Sequence, residues 1–308
     1  MTRNLITLFD LAADEIDRIL TISQELKDQL QAGQRPAVLQ GHGIALLFEK
    51  PSLRTRVSFE MAIGHLGGSS LFLGDDTGWG SRESIKDFSR VLSEYMDVIV
   101  SRSTEHAKVV ELADHASCCV INGLTDYCHP CQALADILTL QERHGSLAGQ
   151  RLAYVGDANN VARSLAIICG KLGVEFALAA PEDYQFDQKF LDQLASELPD
   201  FEILQTTDPR AAVENANAVY TDVWASMGQE SEVADRARAF EPFQVNASLM
   251  AVAPADACFL HCLPARRGQE VTDDVLDGAQ SLVIEQAANR MHAQKGLLVW
   301  LLNETGRA

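Results

Sequence analysis

Residues 43–66 read G-I-A-L-L-F-E-K-P-S-L-R-T-R-V-S-F-E-M-A-I-G-H-L, and the change of period within this stretch decides the fold. The run 43–48 has strand length and no polar alternation, as expected of a strand buried on both faces. Pro51 and Ser52 interrupt it, and from 57 to 66 the pattern is helical. The same rhythm extends in both directions. Strands are expected at 43–48, 98–102, 119–124, 152–156, 175–179, 218–223 and 258–263. Helical stretches at 57–66, 83–95, 107–115, 132–144 and 161–172 fall between them. Strand–helix alternation of this kind predicts parallel sheets covered by helices.

The polar stretch 141–150, Q-E-R-H-G-S-L-A-G-Q, follows a strong helix and marks a boundary. The expected fold is α/β with two domains, 1–141 and 142–286, each a mainly parallel sheet with helices on both faces. A last helix is expected within 287–303. Its packing partner is not legible in the pattern; the assignment adopted is that 287–308 packs back on the first domain.

A chain of 308 residues suits two domains of ordinary size and needs no disulfide staples. Its seven cysteines, at 118, 119, 128, 131, 169, 258 and 262, are odd in number and lack a framework spacing. Free thiols in a reducing compartment are expected. The amino terminus shows neither a secretory leader nor a transit segment, and no apolar run is long enough to cross a bilayer. A cytoplasmic protein with no membrane partner is the expectation. The net charge of -18 argues against nucleic acid as a partner. Small anions stay open if basic residues are concentrated locally.

Ligands of open α/β sheets gather beyond the carboxyl ends of the strands, so the segments that follow strands matter most. Ser52, Arg54, Thr55 and Arg56 follow the first strand and sit at a helix amino terminus. Free N–H groups, two hydroxyls and two guanidinium groups suit a phosphate. The bland alternative, a Ser N-cap with solvated arginines, is about equally common. No Walker-type P-loop is present.

Segment 128–132, C-H-P-C-Q, places His129 at a helix mouth, Pro130 at its first position and Gln132 in its first turn. His and Gln offer donors to a carbonyl or an amide. Cys128 and Cys131 also have the C-x-x-C form of a redox pair, and Cys118, Cys119, Cys128 and His129 form a loose zinc candidate. In G-D-A-N-N, residues 156–160, the G-x-G-x-x-G pattern is absent, so a dinucleotide is not expected. Asn159 and Asn160 either face the crevice or cap the helix. Asp222 is placed to meet an ammonium, or is a cap, and Ser226-Met227-Gly228 form a turn able to close on a ligand. Cys262 ends the last strand of this half, where buried structural cysteine is the commoner state.

Taken together, S-L-R-T-R, H-P-C-Q, D-V-W-A-S-M-G-Q-E and H-C-L-P-A closely resemble the ornithine carbamoyltransferases, in that family's order and over essentially the whole chain. The resemblance implies transfer of the carbamoyl group of carbamoyl phosphate to the side-chain amine of L-ornithine, giving L-citrulline and phosphate in arginine metabolism, in the biosynthetic direction. It implies that Ser52, Leu53, Arg54, Thr55, Arg102, His129, Gln132, Cys262, Leu263 and Arg290 bind carbamoyl phosphate. Asn160, Asp222, Ser226, Met227 and Cys262 would bind ornithine, with Arg54, Arg102, His129 and Cys262 catalytic. It implies no metal or cofactor, and a homotrimer or multiple of trimers.

Two departures stand out. Leu53 replaces the Thr more usual in the phosphate loop, leaving only a backbone N–H at that position. Gly78 stands where the family usually places a Gln or His donated to a neighbouring subunit, with Trp79 or Ser81 as the candidate substitute. The rival readings are a carbamoyltransferase for N-acylated ornithine, putrescine or aspartate, a thiol or metal protein built on Cys128 and Cys131, and a catalytically silent relative.

Overall fold

The computed structural model describes residues 3–225 and 230–304. The chain divides into two compact units, Met1–Leu138 with Ala288–Ala308, and Thr139–Ala287.

The first unit contains strands β1 (Gly43–Phe48), β2 (Ser69–Leu73), β3 (Val98–Arg102) and β4 (Cys119–Leu124). They form one sheet in the order β2-β1-β3-β4, and every pairing is parallel. Around it lie α1 (Ala13–Gln31), α2 (Leu53–His65), α3 (Ile85–Leu92) and α4 (His106–His115). α5 (Pro130–His144) begins in this unit, and α12 (Val283–Glu304) ends in it.

The second unit contains β5 (Arg151–Val155), β6 (Glu175–Ala179), β7 (Ile203–Thr206), β8 (Ala218–Thr221) and β9 (Cys258–His261), ordered β7-β6-β5-β8-β9 and again all parallel. Its helices include α6 (Asn160–Leu172), α7 (Gln188–Glu197), α8 (Pro209–Val213), α9 (Val233–Phe240), α10 (Ala247–Met250) and α11 (Asp273–Leu276).

In each sheet the chain builds outward in one direction, then returns and builds in the other. The reversal falls between β1 and β3 in the first unit and between β5 and β8 in the second. Right-handed crossovers made in opposite directions place their helices on opposite faces. The central strands are therefore covered twice, which is why β1 is buried from Ile44 to Phe48 without alternation.

On one face of the first sheet, Ala45, Leu47, Ile99 and Val120 pack with Val109, Leu112 and Trp79. In the second unit, Ala153, Val155, Ala177 and Val219 pack with Phe240 and Phe243. Two strands lie outside the sequence expectation. β2 and β7 are edge strands whose residues are largely exposed or half-buried, so neither carries the apolar run that marks the others.

Among the described residues, no helix is long and apolar enough to cross a membrane. Within the first unit α12 lies against α1, where Lys27 donates to Asn289 Oδ1 at 2.8 Å. Gly296 allows the close approach: a Cβ there would stand 2.0 Å from Ser23 Oγ and 2.5 Å from the Ile19 carbonyl oxygen. Gly296→Val should cost about 1–3 kcal/mol by overpacking. Urea denaturation should show a lower midpoint with an unchanged slope; an unmoved midpoint would refute this packing.

Candidate active site

Both reversal points lie beyond strand ends, where open α/β sheets bind ligands. In the first unit these ends are Phe48 and Arg102, which sit in register on β1 and β3. The loop after β1 is tied to the loop after β3 through Glu49. Its N–H donates to the Arg102 carbonyl at 2.9 Å, and its carboxylate accepts from Ser103 Oγ at 2.6 Å, Thr104 N at 2.9 Å and Lys108 Nζ at 3.0 Å. Burial pushes the Glu49 carboxyl up, but these donors outweigh it and hold it below the usual range. Glu49 carries no signal of its own in the sequence, standing in a short run that ends at Pro51.

The loop leads into α2. Ser52 occupies its N-cap position with extended backbone, yet makes no side-chain cap bond. Its hydroxyl donates instead to Thr55 Oγ1 at 3.0 Å. The first intrahelical bond runs from Arg56 N to the Ser52 carbonyl, so the N–H groups of Leu53, Arg54 and Thr55 have no cap acceptor. That leaves the helix mouth open to an anion and disfavours the simple capping alternative. The Leu53 side chain is 77% exposed and apolar, so the group it can offer an anion is its backbone N–H.

Thr55 is fully buried, and its hydroxyl oxygen accepts from Arg102 Nη1 at 3.1 Å and from Arg290 Nη2 at 2.8 Å. Arg290 lies 235 residues further along the chain, so α12 completes a site begun by α2. His129, just before α5, is 4% exposed. Burial, with the charges of Arg290 and then Arg102 nearby, holds its imidazole well below the usual range, so the ring is neutral. Gln132 is buried and donates to Asp136 Oδ1 at 2.8 Å one turn on, while its carbonyl oxygen has no hydrogen-bond donor among the described residues. The first unit thus brings Ser52, Thr55, Arg102, Arg290 and His129 together, with Leu53 and Arg54 following Ser52 on α2 and Gln132 in the first turn of α5.

The second unit gathers another set. Asp222, just past β8, is 8% exposed. Its Oδ1 accepts from Val223 N at 2.8 Å and from the Cys262 thiol at 3.0 Å, and its Oδ2 accepts from Asn159 Nδ2 at 2.9 Å. Asn160 is the first residue of α6, and its carbonyl accepts from Ser164 Oγ at 2.9 Å. Ser226 and Met227 lie outside the described residues.

Cys262 and Leu263 follow β9. Leu263 adopts a left-handed φ of 57°, a costly conformation for a branched side chain. Its N–H donates to His261 Nδ1 at 2.8 Å. That bond puts the ring proton on Nε2, which faces Glu270 Oε1 at 3.2 Å. Both residues are essentially inaccessible, so the imidazole and carboxylate brace the turn from beneath.

Two family models describe the chain: the carbamoyl-P binding domain of aspartate/ornithine carbamoyltransferase over residues 3–142, and its Asp/Orn binding domain over residues 148–301. The chain belongs to the aspartate/ornithine carbamoyltransferase family. The ornithine carbamoyltransferase of Anoxybacillus flavithermus is 50% identical over 304 residues, covering 97% of this chain and 96% of that one. A relative from Pyrococcus furiosus, named as the anabolic ornithine carbamoyltransferase, is 48% identical over 305 residues, covering 97% and 96%. The solved P. furiosus ornithine carbamoyltransferase superposes with a TM-score of 0.93 at 46% identity, covering 96% of each chain. That of Thermus thermophilus gives 0.88 at 38% identity, covering 98% of this chain and 99% of that one.

The redox rival fails on chemistry. Cys128 and Cys131 are both buried, and burial pushes each thiol up to about 12. The Cys128 sulfur donates to the Ile6 carbonyl at 3.3 Å and the Cys131 sulfur to the Asn122 carbonyl at 3.5 Å, so each has its own anchor. Thiols held protonated and inaccessible are structural.

At the departure around Gly78, the backbone has a φ of 67°, and a Cβ would lie 2.4 Å from Arg82 Cδ. Trp79 is buried in the core of its own unit, 6.2 Å from the Phe88 ring. Ser81 is the exposed member of the pair, donating to the Gly78 carbonyl at 2.9 Å.

His129 makes the site sensitive to acid. Its folded-state pKa lies below the ordinary 6.5, so protonation favours the unfolded chain. The stability it contributes is present above about 6.5 and declines as pH falls below that value. In His129→Gln, the slope of unfolding free energy against pH between about 6.5 and 4 should be shallower by up to one proton, ~1.4 kcal/mol per pH unit. Equal slopes in the two proteins would refute a buried neutral ring.

Proposed function

We propose that this enzyme transfers the carbamoyl group of carbamoyl phosphate to the side-chain amine of L-ornithine, releasing L-citrulline and phosphate. The carrying observation is the pair of chemically distinct sets at the two reversal points. One presents cationic and hydroxyl donors around a helix mouth, and the other presents a carboxylate bound to a thiol. The first set suits a doubly charged phosphate, and the second suits the α-ammonium of an amino acid.

In this reading the open N–H groups of α2, with Ser52, Arg54 and Thr55, hold the phosphate. Arg102, Arg290 and neutral His129 donate to the carbamoyl oxygen, and the free carbonyl of Gln132 accepts from the carbamoyl amide. Asp222 and Cys262 take the α-ammonium of ornithine, with Asn160, Ser226 and Met227 completing that set. The distal amine, with an ordinary pKa of roughly 10, loses its proton as it leaves water. Its nitrogen attacks the carbamoyl carbon, and the donors stabilise the resulting oxyanion at about 3 kcal/mol each. The carbon–oxygen bond to phosphate then breaks, and the departing phosphate accepts the amine proton, so no protein base is needed.

Asp222 favours ornithine over an N-acylated relative, which offers that carboxylate no ammonium. The biosynthetic direction is supported by the relative that bears the name anabolic. A cytoplasmic setting accords with seven cysteines that form no disulfide in the structure.

Purified enzyme supplied with carbamoyl phosphate should form citrulline faster from ornithine than it carbamoylates putrescine, N-acetylornithine or aspartate. Arg54→Ala should lower the rate by about 10²–10³-fold, the scale of one lost oxyanion or phosphate donor. Preference for another amine, or full activity in the variant, would overturn this assignment.

A trimer is proposed as the working assembly. Leu53, Val57 and Met61 form an exposed apolar stripe along α2, and Leu71 on edge strand β2 is exposed as well. Light scattering should give the mass of three chains or a multiple of three, and Val57→Asp with Met61→Asp should dissociate it. A fully active monomer would exclude the proposal.

A further inference from the structure

Asn159 has a position in the fold that a helix cap alone does not explain. It stands at the N-cap of α6 with φ of -78° and ψ of -170°, and its Oδ1 accepts from Val161 N at 2.9 Å and Ala162 N at 3.1 Å. A third donor, the Tyr154 hydroxyl, reaches the same oxygen at 3.1 Å. Burial, with the Asp222 carboxylate nearby, pushes that phenol well above its usual range, so it stays protonated and acts as the donor. With three donors on Oδ1, the carboxamide has only one orientation. Its nitrogen must point away from the helix, and it does so toward Asp222 Oδ2 at 2.9 Å.

We propose that Asn159 is a positioning residue for the amino-acid substrate: it fixes the rotation of the Asp222 carboxylate through a rigid amide anchored on α6 and Tyr154. The proposal rests on the assignment of Asp222 to the α-ammonium of ornithine. A carboxylate just past a strand can turn about its own side-chain bonds. Here Oδ2 is held by Asn159, and Oδ1 is held by Val223 N and the Cys262 thiol. The remaining lone pairs therefore have a defined direction before substrate arrives, and less ordering is left to binding. The donors on Oδ1 also polarise the amide and strengthen its N–H toward the acid.

Two supports hold this chain of bonds in place. Gly156 lies at φ of 150°, a region that glycine enters at little cost, and this lets the loop after β5 pass near the Asp222 carbonyl. Tyr154 is stacked on Tyr220 with ring centroids 5.5 Å apart, and Tyr220 accepts from Gln286 Nε2 at 3.2 Å. The phenol that presses on Asn159 is thus itself fixed.

Serine and aspartate both cap helices about as well as asparagine, so Asn159→Ser and Asn159→Asp separate capping from positioning. Each is made in the native enzyme and in Asp222→Asn, with KM for ornithine, KM for carbamoyl phosphate, kcat and thermal melting measured throughout. Asn159→Ser, which removes the amide donor to a charged acceptor, should raise KM for ornithine about tenfold. KM for carbamoyl phosphate and the melting temperature should stay near native. Asn159→Asp, which sets a like charge against Asp222, should raise it further. In the Asp222→Asn background neither change should add more than about twofold, since coupled residues are not additive. Equal effects in both backgrounds, or a native ornithine KM in Asn159→Ser, would overturn the positioning role. An ornithine KM unmoved by Asp222→Asn alone would instead overturn the ornithine assignment beneath it. Should one variant fail to fold, the other still decides, because each retains a cap.

Discussion

Two buried guanidinium groups converge on one threonine hydroxyl at the mouth of α2, and the first unit's set of residues is built around that meeting. A hydroxyl oxygen can accept from both, but it cannot neutralise either. Two guanidinium groups so placed suit an incoming anion. The geometry also explains why His129 is neutral: a second and third cation stand close by, and burial already disfavours a charged ring. A neutral imidazole retains one N–H to donate without adding repulsion. The protein as a whole carries a charge of -18, so this concentration of positive groups is local and selects small anions over polyanions.

The second unit's set inverts the logic. Asp222 is negative, and its neighbours are an amide, a backbone N–H and a thiol, none of which is cationic. Its charge is dispersed by donors and remains available to an incoming ammonium. Behind it, Arg236 is engaged elsewhere, donating to Asp157 Oδ2 at 2.8 Å and to the Trp224 carbonyl at 3.1 Å. Asp157 needs that partner, because burial pushes its carboxyl up and Arg236 opposes the shift. Two carboxylates in one neighbourhood thus have separate tasks, one neutralised by an internal cation and one left for substrate.

How much of this was legible in the sequence depended on how each residue earns its place. Strands buried on both faces announce themselves by continuous apolar runs, and β1, β3, β4 and β6 lie at the expected bounds. β2 and β7 do not, because their residues are largely exposed or half-buried and carry no such run. Ser52, Arg54 and Thr55 were readable as a group, since their density after a strand is unusual. The choice between cap and anion loop was not, because it turns on whether the Ser52 hydroxyl faces an N–H or Thr55. Glu49, Glu270 and the second task of Asn159 were hidden for a related reason. Each acts through contacts 9 to 63 residues away, and composition at the residue itself gives no sign of them.

The same dependence on distant partners explains why the H-C-L-P turn keeps its shape. A left-handed leucine does not persist by local preference, since its Cβ crowds the following carbonyl. It persists because His261 accepts from the Leu263 N–H, and His261 can accept there only while its other nitrogen carries the proton. Glu270 secures that tautomer. Fixed in this way, the backbone leaving β9 holds Cys262 within reach of Asp222. One carboxylate buried beneath the turn sets a proton, the proton sets a ring, and the ring sets the position of a thiol that could not otherwise be held there by the sequence around it.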